Sequence, residues 1–148
     1  MKRYKHIGSY GLVLDNDRIL LINKVGGPYD GKLDLPGGTI EYKETPEKTL
    51  IRELKEEVGI EVIKYSLYDG ISTDLEWIYK DELHKIQHIG FIYKIDKYTG
   101  NILKNNIITE INDDSKGCNF YDISALNKSM LSNIAFIEIE KLGYKIKE

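Results

Sequence analysis

The sequence predicts an α+β fold, or a mixed-sheet α/β sandwich, on three observations. The chain opens with a hairpin, strand-like segments fill its middle, and only two segments read as convincing helices. A doubly wound parallel sheet would need more crossover helices. At 148 residues the chain suits one domain over residues 1–148, large enough to bury roughly 68–70% of its unfolded surface in one core.

Each element has a local reason. Ser9 to Leu14 and Arg18 to Asn23 are strand-like runs around the Asx-rich turn Asp15-Asn16-Asp17. Lys24 to Asp34, with Gly26, Gly27, Pro28 and Gly31, reads as a loop leading into Leu35-Pro36-Gly37-Gly38. The first helix is expected over Pro46 to Val58, with Thr45 as N-cap, Pro46 at its first position, Glu47 in the first turn and Gly59 past its end. Leu50, Ile51, Leu54 and Val58 form its apolar stripe. Glu61 to Tyr79 is strand-rich, Lys80 to Leu83 turns, and Ile86 to Ile95 alternates with Ile89, Phe91, Tyr93 and Ile95 on one face. Tyr98 to Asn101 is a loop, Ile107 to Ile111 and Gly117 to Tyr121 are short strands, and Leu131 to Leu142 is a helix packing Ile134, Phe136, Ile137 and Leu142.

Composition excludes several classes. Basic residues number 21 against 24 acidic, for a net charge of −3, and they are scattered, which disfavours a nucleic-acid-binding stripe. No stretch approaches the ~18 apolar residues of a membrane span. A lone cysteine, Cys118, and a start without a signal peptide's apolar run point to a reducing cytoplasm. A small anionic substrate is compatible with all of this.

The densest information lies between Gly38 and Ile60, which reads Gly-x5-Glu-x7-Arg-Glu-Leu-x-Glu-Glu-x-Gly-Ile. On a helix Glu53, Glu56 and Glu57 fall within about a 100° arc and form one acidic edge. Like charges at that spacing repel, and carboxylates near a helix C-terminus oppose its dipole, so a cation is expected to compensate. Arg52 neutralises only part of the edge. With no Cys or His in the cluster, a hard oxygen-seeking cation such as Mg2+, or Mn2+ in its place, suits it better than Zn2+.

Gly38, Glu44, Arg52, Glu53, Leu54, Glu56, Glu57, Gly59 and Ile60 fill every defined position of a pattern that resembles the signature box of the Nudix (MutT-like) hydrolases. Leu35-Pro36-Gly37-Gly38 before the box and Asn119-Phe120-Tyr121-Asp122 after it resemble the family's flanks. One departure is Lys43, where relatives often carry glycine.

The resemblance implies a small α/β/α sandwich with a mixed sheet, hydrolysing a nucleoside diphosphate linked to another moiety. It implies Mg2+ bound by Glu53, Glu56 and Glu57 with Gly38. Glu53, or Glu110 from a later loop, is expected to act as base, with Asp96 and Glu82 behind them; Arg52 and Glu44 brace the loop against the helix. The short chain leans towards a nucleoside triphosphate pyrophosphohydrolase working as a monomer or homodimer. ADP-ribose, nucleotide-sugar or dinucleoside polyphosphate hydrolysis and a non-catalytic nucleotide sensor are the alternatives; a prenyl diphosphate isomerase ranks last.

Substrate contacts are expected from Gly37 and Gly38 in the metal loop and from Trp77, Tyr79 and Phe120 as base-stacking rings. His88 is read first as a structural histidine and second as a phosphate contact or acid. Cys118 is expected to be a half-buried, unreactive thiol.

Overall fold

The computed structural model describes residues 1–102 and 115–148. Among the described residues, eight strands form two sheets, and two α-helices pack on them. Strand β1 (Lys2–Leu12) runs between β5 (Gly37–Thr39) and β7 (Glu82–Thr99), and β6 (Glu61–Tyr79) closes that sheet in the order β5-β1-β7-β6. Pairing of β1 with β7 is parallel, from Lys2 opposite His84 to Leu12 opposite Lys94, while β5 and β6 pair antiparallel with their neighbours. The sheet is therefore mixed.

The second sheet holds β2 (Leu14–Asp15), β3 (Arg18–Lys24) and β4 (Leu33–Asp34), with β8 (Ser115–Asp122) antiparallel on β3. The expected opening hairpin is β2–β3, turning at Asn16 and Asp17. Its first strand does more than predicted. The chain is already extended from Lys2, and it leaves the first sheet at Leu12 to enter the second at Leu14.

Alternation along β3 explains how the two sheets share their cover. Ile19 and Leu21 face one core, Leu20 and Ile22 another, and all four are buried. A strand covered on both faces must be apolar on both, which is why this one reads as an unbroken apolar run. The first core adds Tyr10, Leu12, Ile71 and Ile92 and is capped by Ile134, Ala135 and Ile139 of α2 (Asn133–Lys141). The second adds Val13, Tyr93 and Ile95 beneath Leu50, Leu54 and Val58. Helices on opposite sides of strands make the α/β/α sandwich. Truncating a fully buried anchor such as Leu54 to alanine would cost about 2–5 kcal/mol.

Strand β7 keeps the expected face, with Tyr93 and Ile95 buried in the second core and Phe91 packed against it, while Ile89 is half-buried. Its other face is buried as well, at Ile86, His88, Gly90 and Ile92, so the strand is covered on both sides. The turn before it is also tighter than expected: β6 and β7 are joined by Lys80 and Asp81 alone, at φ 50 and 62. Two successive positive φ values define a hairpin turn usually written Asn-Gly, and Lys-Asp does not announce it.

Helix α2 begins at Ser132, whose Oγ accepts from the Ala135 N–H and donates to Asp34. Its buried face includes Glu138, which the apolar pattern omitted. Cys118 is fully buried rather than half-buried. The predicted strand at Ile107 to Ile111 lies outside the described residues. Among the described residues no helix is long and apolar enough to cross a membrane.

Candidate active site

The acidic edge is delivered by α1 (Pro46–Glu53), which starts as its caps predict. Thr45 accepts from the Lys48 N–H, Pro46 occupies the first turn, and Ser9 Oγ donates to the Pro46 carbonyl at 2.7 Å, pinning the helix start to β1. The expected α-helix to Val58 is replaced after Glu53 by a wider π turn over Leu54–Val58. The Gly59 N–H reaches the Leu54 and Lys55 carbonyls at 3.0 and 3.1 Å, and Gly59, at φ 83, ends the turn. Single π turns recur at functional sites. Here one carries Glu56 and Glu57.

Gly37 and Gly38 pass directly under this edge. The Gly37 N–H donates to Glu57 Oε1 at 2.9 Å. A methyl carbon on Gly37 would stand 2.7 Å from the Tyr10 Cα, and its φ of 145 suits glycine. On Gly38 a methyl carbon would stand 2.7 Å from the Glu53 carboxyl carbon. The room that the second glycine leaves is filled by a glutamate of the box.

Arg52 organises the carboxylates. Its Nε and Nη2 donate to the two oxygens of Glu44 at 2.8 and 2.9 Å, a two-pronged pair that holds the Glu44 carboxyl down at about 2. Nη1 donates to Glu53 at 3.0 Å and reaches Glu56 at 3.4 Å. Arg52 and Glu44 thus brace the loop against the helix, as expected, and with Glu41 3.7 Å from Nη2 one guanidinium is shared among four carboxylates. Glu56, with a side chain 60% exposed, is the open member of the edge.

A cleft of about 900 Å³ runs from this edge, and Gly37, Gly38, Arg52, Glu53, Glu56 and Glu57 all line it. Its other end is walled by His6, Lys24, Tyr29, Leu75, Ile86 and His88. His88 is buried, and its two ring nitrogens meet the Tyr10 and Tyr29 hydroxyls at 2.7 and 3.0 Å. Burial, with lesser contributions from His6 and Lys24, pushes its pKa down to about 3, so the ring is neutral at pH 7. The His6 ring stacks on it at 4.6 Å and 13°. His6 is also lowered from its ordinary value, first by burial and then by Lys24.

Other expected contacts lie elsewhere. Trp77 and Tyr79 cluster with His84 towards the tip of the β6–β7 hairpin, outside the cleft walls. Phe120 packs on the core beneath α1, with the Arg18 guanidinium 5.3 Å from its ring centre. Glu82 pairs with the N-terminal amine and Lys2, and Asp96 is exposed on β7. Glu110 lies outside the described residues. His6, Tyr10 and Tyr29 were not foreseen as cleft residues; an isolated ring in a strand or glycine-rich loop carries no local signal of its partners.

The NUDIX-domain family model matches residues 5–135, a span containing both the box and the strands that seat it. The chain belongs to the Nudix family. A relative described as an ADP-ribose pyrophosphatase, from Methanocaldococcus jannaschii, is 30% identical over 118 residues, covering 80% of this chain and 62% of that protein. An 8-oxo-dGTP diphosphatase of Proteus vulgaris is 36% identical over 75 residues, covering 49% and 66%. This chain spans less than two thirds of the length of either relative. In fold it resembles a MutT NUDIX hydrolase from Burkholderia pseudomallei, with a TM-score of 0.73 at 22% identity over 93% of this chain and 98% of that one.

Nudix hydrolases generally use divalent metal ions, and the donor set fits one. Every carboxylate on the edge supplies oxygen, no thiol or imidazole stands among them, and the glycine loop brings backbone against the same wall. Among the described residues no group of three acidic, histidine or cysteine side chains is already gathered as a cage. Arg52 and the Gly37 N–H hold the glutamates as an ordered fringe instead.

Proposed function

We propose that this Nudix protein hydrolyses the diphosphate bond of a nucleoside diphosphate linked to another moiety, as a nucleoside triphosphate pyrophosphohydrolase releasing the monophosphate and pyrophosphate. One observation carries the proposal: an acidic, arginine-braced edge and a ring-lined end, with Lys24 beside its histidines, share one cleft. Such a cleft suits a substrate with polyphosphate at one end and a planar base at the other.

Glu56 and Glu57, with Gly38 and Glu53 beside them, are the groups that would hold Mg2+, or Mn2+ in its place. A divalent cation bound there supplies charge neutralisation for phosphate oxygens and a lowered pKa for water. Water oxygen attacks phosphorus, the anhydride P–O bond breaks in line, and the proton passes to a carboxylate, which we assign to Glu53. Arg52 fixes that carboxylate, and the Gly37 N–H fixes Glu57. Preorganisation of this kind means the groups need not reorganise as charge moves.

The same proposal has the chain acting as a single domain in the cytoplasm, as a monomer or homodimer, on a free nucleotide rather than nucleic acid or membrane. A second reading, hydrolysis of ADP-ribose, draws support from the relative that covers 80% of this chain. A panel of nucleoside triphosphates, oxidised analogues, ADP-ribose, nucleotide sugars and dinucleoside polyphosphates, with Mg2+ or Mn2+ and product identification, separates them. Glu57→Gln should cut turnover at least 100-fold and weaken Mn2+ binding measured by electron paramagnetic resonance. Wild-type turnover in that variant would refute the metal assignment. Nucleotide binding without turnover of any panel member would identify a sensor.

A further inference from the structure

We infer that His6 is the stacking platform for the substrate's base, with Tyr29, Leu75 and Ile86 completing the seat at the end of the cleft away from the box. This deepens the nucleotide reading above and rests on it. The register shows why His6 has a face to offer. On one side β7 places His88 directly opposite, and the two rings stack at 4.6 Å. On the other side β5 stops at Thr39, opposite Gly8, so among the described residues no β5 residue pairs with His6. Its ring is half-buried and lines the cleft.

The ring is also held in orientation. His6 Nε2 is 2.7 Å from Thr39 Oγ1, on the residue after Gly38, so the platform is tied to the glycine loop beneath the carboxylates. Behind it His88 is locked between two tyrosine hydroxyls, one of them from the glycine-rich loop. A neutral imidazole bonded at both nitrogens keeps a donor and an acceptor satisfied without charge. A flat ring fixed from behind is suited to base stacking, which is tolerant of base identity. Lys24 lines the same cleft and acts on both rings, so a phosphate drawn to that ammonium is the competing occupant, and a sugar phosphate without a base tells the two apart.

The chain has three histidines, His6, His84 and His88, so ring-proton NMR gives three reporters. His84 sits apart, against Tyr4 and Trp77, and serves as the internal control. Adding AMP, GMP, CMP or UMP in turn should shift the His6 and His88 signals and leave His84 in place, while ribose 5-phosphate should move none of them. His6→Ala should weaken monophosphate binding about 10-fold, the scale of one stacked base, with ribose 5-phosphate affinity unchanged; His6→Phe should restore it. If ribose 5-phosphate moves the same signals, the seat holds the sugar and the inference is wrong. Absence of any nucleotide-induced change at His6, whether binding occurs elsewhere or not at all, overturns it as well. Base-dependent shifts in a protein that hydrolyses no panel member would instead sink the hydrolase reading and leave the platform standing.

Discussion

Replacing Glu138 with glutamine should make the protein more stable in alkali. Glu138 is fully buried on α2, and among the described residues neither of its oxygens meets a donor. It faces Asp69 of β6, itself bonded to Lys141 at 2.7 Å. Two carboxyls can bond only by sharing a proton. Burial first, then that bond and the Asp69 charge, raise Glu138 from 4.5 to about 8. Between those values the folded chain keeps a proton that the unfolded chain has lost, so stability falls as pH rises from about 4.5 through about 8. The gap corresponds to about 5 kcal/mol. Asp69 and Lys141 reach solvent and screen it, leaving about 2 kcal/mol as the expected loss between pH 5 and pH 9. Glutamine donates to Asp69 without titrating, so Glu138→Gln should melt about 4–8 °C above the wild type at pH 9 and close to it at pH 5. Urea unfolding at both pH values measures the same difference. Parallel losses in the two proteins would show that Glu138 does not carry the shared proton.

Three further substitutions have defined outcomes. Gly38→Ala pushes a methyl carbon into the Glu53 carboxyl; that side chain can swing, so melting should hardly change while turnover drops about 100-fold. His88 stays unprotonated in the fold down to about 3 but not in the unfolded chain, whose ordinary value is 6.5. Stability should therefore fall as pH drops from about 6.5 towards about 3, and His88→Gln should show a shallower acid slope in urea titrations. Lys43 adopts φ 69, the left-handed conformation that glycine takes without penalty. Lys43→Gly should then stabilise the chain by about 1 kcal/mol, read from the urea midpoint.

The box helix was legible because its information is local. Thr45, Pro46 and Gly59 bound one contiguous segment, Leu50, Leu54 and Val58 repeat at the helical period, and Glu53, Glu56 and Glu57 crowd one edge whatever the helix packs on. Even there, the wheel drawn for a regular α-helix missed the π turn under Glu56 and Glu57. The departure at Lys43 was visible as a letter, and the structure supplies its conformational meaning.

By itself, then, the sequence determined a mixed α/β chain, the opening hairpin, the capped helix and a carboxylate edge with oxygen-only chemistry. Only the tertiary structure decided what the far end of the cleft is made of. Tyr10 and Tyr29 meet His88 across 78 and 59 residues of chain, and His6 stacks on it because β1 and β7 run parallel in one register. No spacing rule encodes such contacts: they exist once strands distant in sequence have paired, and a one-residue slip of β1 or β7 would turn its rings to the opposite face.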